Sequence, residues 1–434
     1  MNDATNRFSR LLQCSPAAIL MLATPLLAAC APICGVVNSW SACYPDIHGD
    51  DFSAVHSEID KPPAAEYADA VERARPFVRA LVVEENLPGL SLAVGIAGEV
   101  VWAEGFGWAD IDARRPVTPK TLFRIGSVAK PMTATAVGVL HERGLLDLDA
   151  PVRDYVPSFP EKEWSVTTRQ LMGHVAGVRH YGDDEELLYM RDHCESPLDG
   201  LERFADDPLL FAPGTRYQYS SYGWTLVGAV VEAAAGEPFL DVMQREVFDP
   251  SDMRDTGLDD VLRPAARRTH LYWPFADRNT RYGVEHANDA DNSCIQGAGA
   301  LLSTPSDVVR FGLAILGGRL LRSETLDMLR TPLELESGES TGYGLGWFVR
   351  SAPLGPEAQT TIFGHGGSSP GGFTSFMTLP EHDIVVAVTT NVSYAENLGS
   401  LSLQLARIFA GVEAGAPQDA GGSASVGTFT PPAW

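Results

Sequence analysis

The sequence predicts an α+β fold: one antiparallel sheet, flanked by helices, beside a mostly helical second lobe. Three observations lead there. Apolar residues alternate over 90–97 and 100–106 around Gly98-Glu99, which reads as a β-hairpin. From Leu145 to Ala300 the pattern is mostly helix and loop, and after Gly342 it returns to strands. Strands at both ends of a helical middle belong to one sheet that the C-terminal half completes. With 434 residues, 45% of them hydrophobic, the chain can bury a large core.

The first stretch stands apart from that fold. Arg7 and Arg10 precede a short apolar run over 16–27, interrupted by Pro25, and Leu27-Ala28-Ala29-Cys30 follows. That order reads as a secretory signal over residues 1–29. Leu-Ala-Ala-Cys also resembles the bacterial lipobox, which is cut before a cysteine that then carries lipid, here Cys30. An ordinary small-residue cleavage site is the alternative. Ala31, rather than an aspartate, matches outer-membrane sorting in a two-membrane bacterium. The expectation is therefore an exported lipoprotein of the outer membrane or periplasm. With Cys14 in the signal and Cys30 lipidated, Cys34, Cys43, Cys194 and Cys294 remain, with three possible pairings. Cys34–Cys43 with Cys194–Cys294 is the first choice in an oxidising compartment, and buried free thiols are the alternative.

Residues 30–63 show no clear periodicity and read as a tether, which leaves 64–411 as the domain. A helix is expected over 64–85, then the hairpin, then a central helix that Gly144 closes. Residues 166–172 read as helix, with a loop at 173–177. Residues 222–235 form an apolar helix ending at Gly236, and 306–316 another. Strands are expected over 344–350, 360–363, 373–379 and 384–391, and a last helix over Leu398–Phe409. The Gly-, Ala-, Ser- and Pro-rich residues 412–434 read as a disordered tail.

The chemistry centres on Phe123-Arg124-Ile125-Gly126-Ser127-Val128-Ala129-Lys130. Pro131 fits only near a helix start, where its missing N–H has little to bond. Ser127 therefore sits at the helix N-terminus with Lys130 one turn on, an amine within reach of its hydroxyl proton. Lysine usage singles out this pair. Of 32 Lys+Arg only Lys61, Lys120, Lys130 and Lys162 are lysine. Arginine keeps its proton near neutral pH, whereas a buried lysine can act as a base. A net charge of −24 argues against nucleic acid or an anionic lipid surface as partner, so membrane contact is expected only through Cys30.

Two further stretches follow: Tyr219-Ser220-Ser221 before the 222–235 helix, and His365-Gly366-Gly367-Ser368 among the C-terminal strands. Ser-x-x-Lys, Tyr-Ser-x and His-Gly-Gly, in that order, resemble the serine β-lactamase and penicillin-binding-protein superfamily, with class C enzymes and related esterases and peptidases the nearest large group. The resemblance covers about residues 88–409. Tyr155-Val156-Pro157-Ser158-Phe159-Pro160 and Gly177-Val178-Arg179-His180-Tyr181 resemble more narrowly the mitochondrial serine β-lactamase-like branch. The resemblance implies a β-lactamase/transpeptidase-like fold and hydrolysis of a small-molecule or peptide substrate without a cofactor. It implies Ser127 as nucleophile, Lys130 as its activator, and Tyr219 as proton shuttle. The backbone N–H groups of Ser127 and Ser368 would form the oxyanion hole. Gly366 and Gly367 would admit the substrate beside their strand.

Two departures qualify it. Ser221 holds the place of an asparagine that reaches the substrate. His365 holds the place of a lysine, and a histidine's charge depends on pH. Both changes weaken β-lactam binding and recognition of a substrate carboxylate. Gly367-Ser368-Ser369-Pro370-Gly371 also matches a nucleophile elbow, but an elbow needs a following helix and the residues here read as strand. None of the 10 histidines has zinc-hydrolase spacing, so no metal is expected. His174 and His180 read as loop residues with local hydrogen bonds. The leading expectation is an exported serine hydrolase that cleaves a peptide, amide or ester through an acyl-enzyme, with weak or no β-lactamase activity. The alternative is a non-catalytic penicillin-binding-like envelope receptor or scaffold.

Overall fold

The computed structural model describes residues 43–44, 46–182, 192–262, 264–287, 289–355, 358–395 and 397–411. The predicted signal, Cys30, Cys34, the acidic run 183–186 and the tail lie outside the described residues. So does the proposed Cys34–Cys43 pairing.

The central sheet comprises β1 (Ser57–Ile59), β2 (Gly89–Ile96), β3 (Glu99–Asp110), β4 (Phe348–Pro353), β5 (Gln359–Ser369), β6 (Gly372–Leu379) and β7 (Ile384–Thr390). Their order is β4-β5-β6-β7-β2-β3-β1, with Arg115–Pro116 pairing β3 as an eighth strand. All pairs are antiparallel. The C-terminal strands thus extend the sheet from one strand of the N-terminal hairpin, and β7 pairs β2 from Ile384↔Ile96 to Thr390↔Leu90.

Helices cover both faces, so β6 and β7 are buried at every position. Alternate residues feed two cores, as the strand period of two requires. Leu92, Val94, Val386 and Val388 pack with Val78 and Val82 of α1 (Ala68–Glu84) and with Leu405 of the C-terminal helix Leu398–Phe409. Ala93, Val385 and Ala387 face the opposite core with Val309 and Phe311 of Pro305–Leu316. That second core continues into the helical lobe. There α2 (Ala129–Glu142) is buried at every position from Ala129 to Leu140, and small residues such as Ala134 and Ala136 let its neighbours approach from all sides.

Four expectations need correction. Residues 46–63 are not a free tether: Phe52–Ala54 is a 3-10 turn capped by Asp51, and β1 pairs Glu104–Phe106 as the sheet edge. A three-residue strand carries too little alternation to be read from sequence. The lobe read as mostly helix and loop, with no strand placed in it, also holds a hairpin, Tyr272–Ala276 with Asn279–His286. Its turn residues Asp277 and Arg278 take φ of 52° and 54°, so the usual Asn-Gly signal is missing. The strand expected over 344–350 begins at Phe348. Finally, β5 runs through Ser369 instead of ending at Phe363, which puts the whole His-Gly-Gly-Ser motif inside a strand.

Cys194 and Cys294 are disulfide-bonded, with Cα atoms 4.9 Å apart and a sequence separation of 100. The bridge ties the start of the lobe to the segment leading into Ala298. Replacing both cysteines by serine is expected to cost roughly 2–4 kcal/mol, since the lost constraint closes a long loop. A urea midpoint unchanged from wild type would show that the bridge does not form in solution.

Candidate active site

Gly126-Ser127-Val128 forms a 3-10 turn that leads into α2 at Ala129, so Ser127 lies just ahead of the α-helix. Pro131 falls in the first helical turn, as its missing N–H demands. From Thr121 to Leu140 every residue but Ser127 is buried. The hydroxyl is the opening in an otherwise sealed segment.

Lys130 is fully buried, and its Nζ lies 2.8 Å from Ser127 Oγ, 2.9 Å from the Ala298 carbonyl and 3.3 Å from Ser221 Oγ. All three partners are uncharged. Burial without a carboxylate holds the amine's pKa well below its ordinary value. A neutral amine has two N–H groups and one lone pair. With the N–H groups on Ala298 O and Ser221 Oγ, the lone pair is left for the Ser127 hydroxyl proton.

Tyr219 stands over this pair, its ring centroid 5.0 Å from Lys130 Nζ. Burial drives its pKa well above the ordinary value, against the lowering influence of the neighbouring Ser127 and Ser221 hydroxyls, so it stays protonated. Ser221, expected to contact substrate, is 2% exposed and directed at Lys130 and Tyr219 instead. This is a correction. A serine is too short to reach past the buried amine, and it links the two proton-carrying groups.

His365 also departs from expectation. It is 1% exposed, its Nδ1–H donates to Gly366 O at 2.5 Å, and its Nε2 accepts from the Tyr343 hydroxyl at 3.0 Å. Burial, with Lys130 nearby, pushes its pKa down to about 3. It is therefore a neutral wall residue, with no cation to offer a substrate carboxylate.

Gly366, Gly367 and Ser368 form the other side of the site. β4 pairs β5 only as far as Gly364, so His365–Ser369 is not paired by β4 on that side. Two glycines let this strand meet the Ser127 turn. Gly126 has φ +50°, and a Cβ there would lie 2.6 Å from Ser368 O and 2.9 Å from Ser368 N. A Cβ on Gly367 would lie 1.9 Å from Ile125 O and 3.2 Å from Ser127 N. Backbone contact this close brings Ser127 and Ser368 together, as a two-amide oxyanion hole requires. Gly372–Leu379 follows as strand, not helix, which removes the elbow reading of Ser369.

Behind the motif, Arg124 is buried, with Nε 2.5 Å from Asp259 and an N–H donating 3.0 Å to Pro370 O. It fixes the turn carrying Ser127 to the end of β5.

Sequence reading left two histidines without a role here. His174 Nδ1 accepts the Ser220 N–H and His180 Nδ1 accepts the Ser221 N–H, each at 3.0 Å. These are the amides immediately after Tyr219, at the start of α3 (Ser221–Ala235). Tyr343 and the Ala298 carbonyl were likewise unassigned. Backbone acceptors and second-layer rings have no spacing signature, so only the fold could place them.

The sequence model of the Beta-lactamase family matches residues 74–407. The chain is 29% identical to the mitochondrial serine beta-lactamase-like protein LACTB of Homo sapiens, over 80% of this chain and 81% of that protein. It is 30% identical to Esterase EstB of Burkholderia gladioli, over 74% of this chain and 90% of that one. In fold it is similar to the octameric penicillin-binding protein homologue from Pyrococcus abyssi, with a TM-score of 0.68 at 23% identity, covering 79% of this chain and 78% of that chain. With the Ser127–Lys130–Tyr219 arrangement in place, the chain belongs to the beta-lactamase family and is a serine hydrolase of the β-lactamase and penicillin-binding-protein type.

Proposed function

We propose that the protein is an exported serine hydrolase that cleaves small esters, amides or peptides through an acyl-enzyme on Ser127 and turns over β-lactams weakly. The observation that carries this reading is the Lys130 amine, fully buried, hydrogen-bonded to uncharged groups and 2.8 Å from the one residue of the motif that is not sealed from solvent. Ser127 Oγ attacks the carbonyl carbon as its proton passes to Lys130 Nζ. The oxyanion rests on the Ser127 and Ser368 amides. When the bond to the leaving group breaks, Tyr219 gives that group its proton and regains one from Lys130 through Ser221. Water then repeats the sequence on the acyl-enzyme. A non-catalytic receptor has no need of this proton path.

Weak β-lactam turnover rests on His365 and Ser221. Where a lysine would offer a charge, a neutral buried imidazole stands, and a charge-assisted hydrogen bond is worth about 1.5–3 kcal/mol. Cephalosporin kcat/KM is therefore expected about 10²-fold below that for a small ester. Comparable values would overturn this part of the reading. Export rests on Leu27-Ala28-Ala29-Cys30 and accords with the Cys194–Cys294 bridge. Intact mass after expression in a Gram-negative host should show a lipid-modified chain beginning at Cys30. An unmodified chain, or one cut elsewhere, would refute the lipobox.

The experiment for the reading as a whole is labelling with a fluorophosphonate probe. The label should fall on Ser127 and vanish in Ser127→Ala. Label on another serine would place the nucleophile elsewhere, and none on a folded protein would return the receptor reading.

A further inference from the structure

His174 has two unfavourable features that an ordinary loop residue would lack. Its backbone sits in the left-handed region at φ +60°, which few residues besides glycine adopt, although asparagine, aspartate and histidine do so more often than the rest. Its ring is 2% exposed, and Nε2 finds no hydrogen-bond partner among the described residues. Strain and an unmet polar atom persist together where the surroundings enforce them, and such places concentrate at functional sites.

The contacts show what this conformation achieves. The His174 carbonyl accepts the Gln218 N–H at 2.9 Å, and its Nδ1 accepts the Ser220 N–H at 3.0 Å. The residue between those two amides is Tyr219. The imidazole also lies against the Tyr219 ring, centroids 4.2 Å apart, and near Tyr343 at 4.7 Å. The His174 N–H donates to Leu171 O at 3.1 Å, at the end of the short helix Thr168–Met172, which a Thr167–Gln170 capping box secures. Tyr219 is thus gripped on both sides by one residue anchored in the helical lobe.

We propose that His174 is a positioning residue for Tyr219, setting the phenol where it delivers a proton to the departing group. The inference rests on the acyl-enzyme reading above. In the step concerned, the carbonyl carbon loses its bond to the leaving oxygen or nitrogen as the Tyr219 O–H proton transfers to that atom. The phenol regains a proton from the Lys130 ammonium through Ser221. A misplaced phenol harms this transfer only when the leaving group needs the proton.

The test uses two esters of one acyl group, a p-nitrophenyl ester, whose leaving group departs as an anion, and an ethyl ester, whose alkoxide needs a proton. His174→Phe keeps a ring against Tyr219 but removes the acceptor for Ser220. It is expected to lower kcat/KM for the ethyl ester about 10-fold or more beyond any loss with the nitrophenyl ester. His174→Asn places a carbonyl oxygen near the Nδ1 position and tolerates the left-handed backbone, so it should restore most of the ratio. Should the Phe variant not fold, His174→Gln replaces it, because its amide lies one bond beyond the Ser220 N–H. Equal losses on both esters, or no change in the ratio, would overturn the proposal. A wild-type protein that fails to label at Ser127 would sink the parent reading instead.

Discussion

Lys130→Met is expected to lower acylation of Ser127 by about 10²–10⁴-fold, the span that loss of a general base covers, with the fold intact. The amine's three partners are neutral and no carboxylate among the described residues accompanies it, so it serves as a base rather than an ion-pair partner. Lys130→Arg separates those roles. Arginine is the chain's usual cation and keeps the charge, but a guanidinium cannot accept the serine proton. Its acylation rate should fall as far as that of the Met variant, whereas a pure charge role would keep it within a few-fold of wild type. Lys120→Arg is the silent control, because its ammonium is exposed and meets only Asp60 at 3.2 Å.

The same amine sets the expected pH dependence. Lys130 has a folded-state pKa below its unfolded one, so acylation should fall as pH drops through that lowered value and the amine gains its proton. His365 and His180, both held to about 3, contribute no limb near neutrality. The limb should vanish from the residual activity of Lys130→Met. The unfolded chain binds a proton here that the folded chain does not, so stability rises with pH between the two pKa values. Methionine removes that cost at neutral pH, and the Met variant should melt no lower than wild type. A much lower melting temperature would mean the ammonium is paired and charged.

Much of the site was legible in the sequence because its chemistry is local. A serine three residues before a lysine on one helical turn, in a chain with four lysines, marks itself. Tyr219 was marked by the resemblance of Tyr219-Ser220-Ser221, placed between the Ser-x-x-Lys and His-Gly-Gly stretches and just before an apolar helix. The sheet was legible because β2, β6 and β7 are long and apolar. What the sequence hid depends on contacts between distant segments. That Ser221 faces Lys130 follows from how α3 packs on α2. That His365 is a neutral wall follows from its burial among distant residues such as Tyr343, 22 positions away. The His174 grip on Tyr219 joins residues more than forty positions apart. The edge strand β1 escaped because pairing with β3, not its own composition, makes it a strand.

Gly367→Ala tests the other half of the site and is expected to reduce acylation by about 10²–10³-fold, the cost of losing one oxyanion donor. The added methyl would lie 1.9 Å from Ile125 O, a backbone atom that cannot swing aside as a side chain could. β5 must therefore draw back from the Gly126–Ser127 turn, and Ser368 moves with it. The Lys130–Ser127 contact lies within one helical turn and does not depend on β5, so the nucleophile should stay activated while its oxyanion goes unsupported. Gly364→Ala supplies the control for general strain. Gly364 lies on the same strand as Gly367, but its methyl would lie 2.1 Å from Phe376 O of β6, away from the Ser127 turn. Both variants should lose stability, and only Gly367→Ala should lose acylation in proportion to the oxyanion hole. Equal loss of acylation in the two would mean that the strand as a whole matters, not the approach of Ser368 to Ser127. A Gly367→Ala protein that labels at the wild-type rate would place the second oxyanion donor elsewhere.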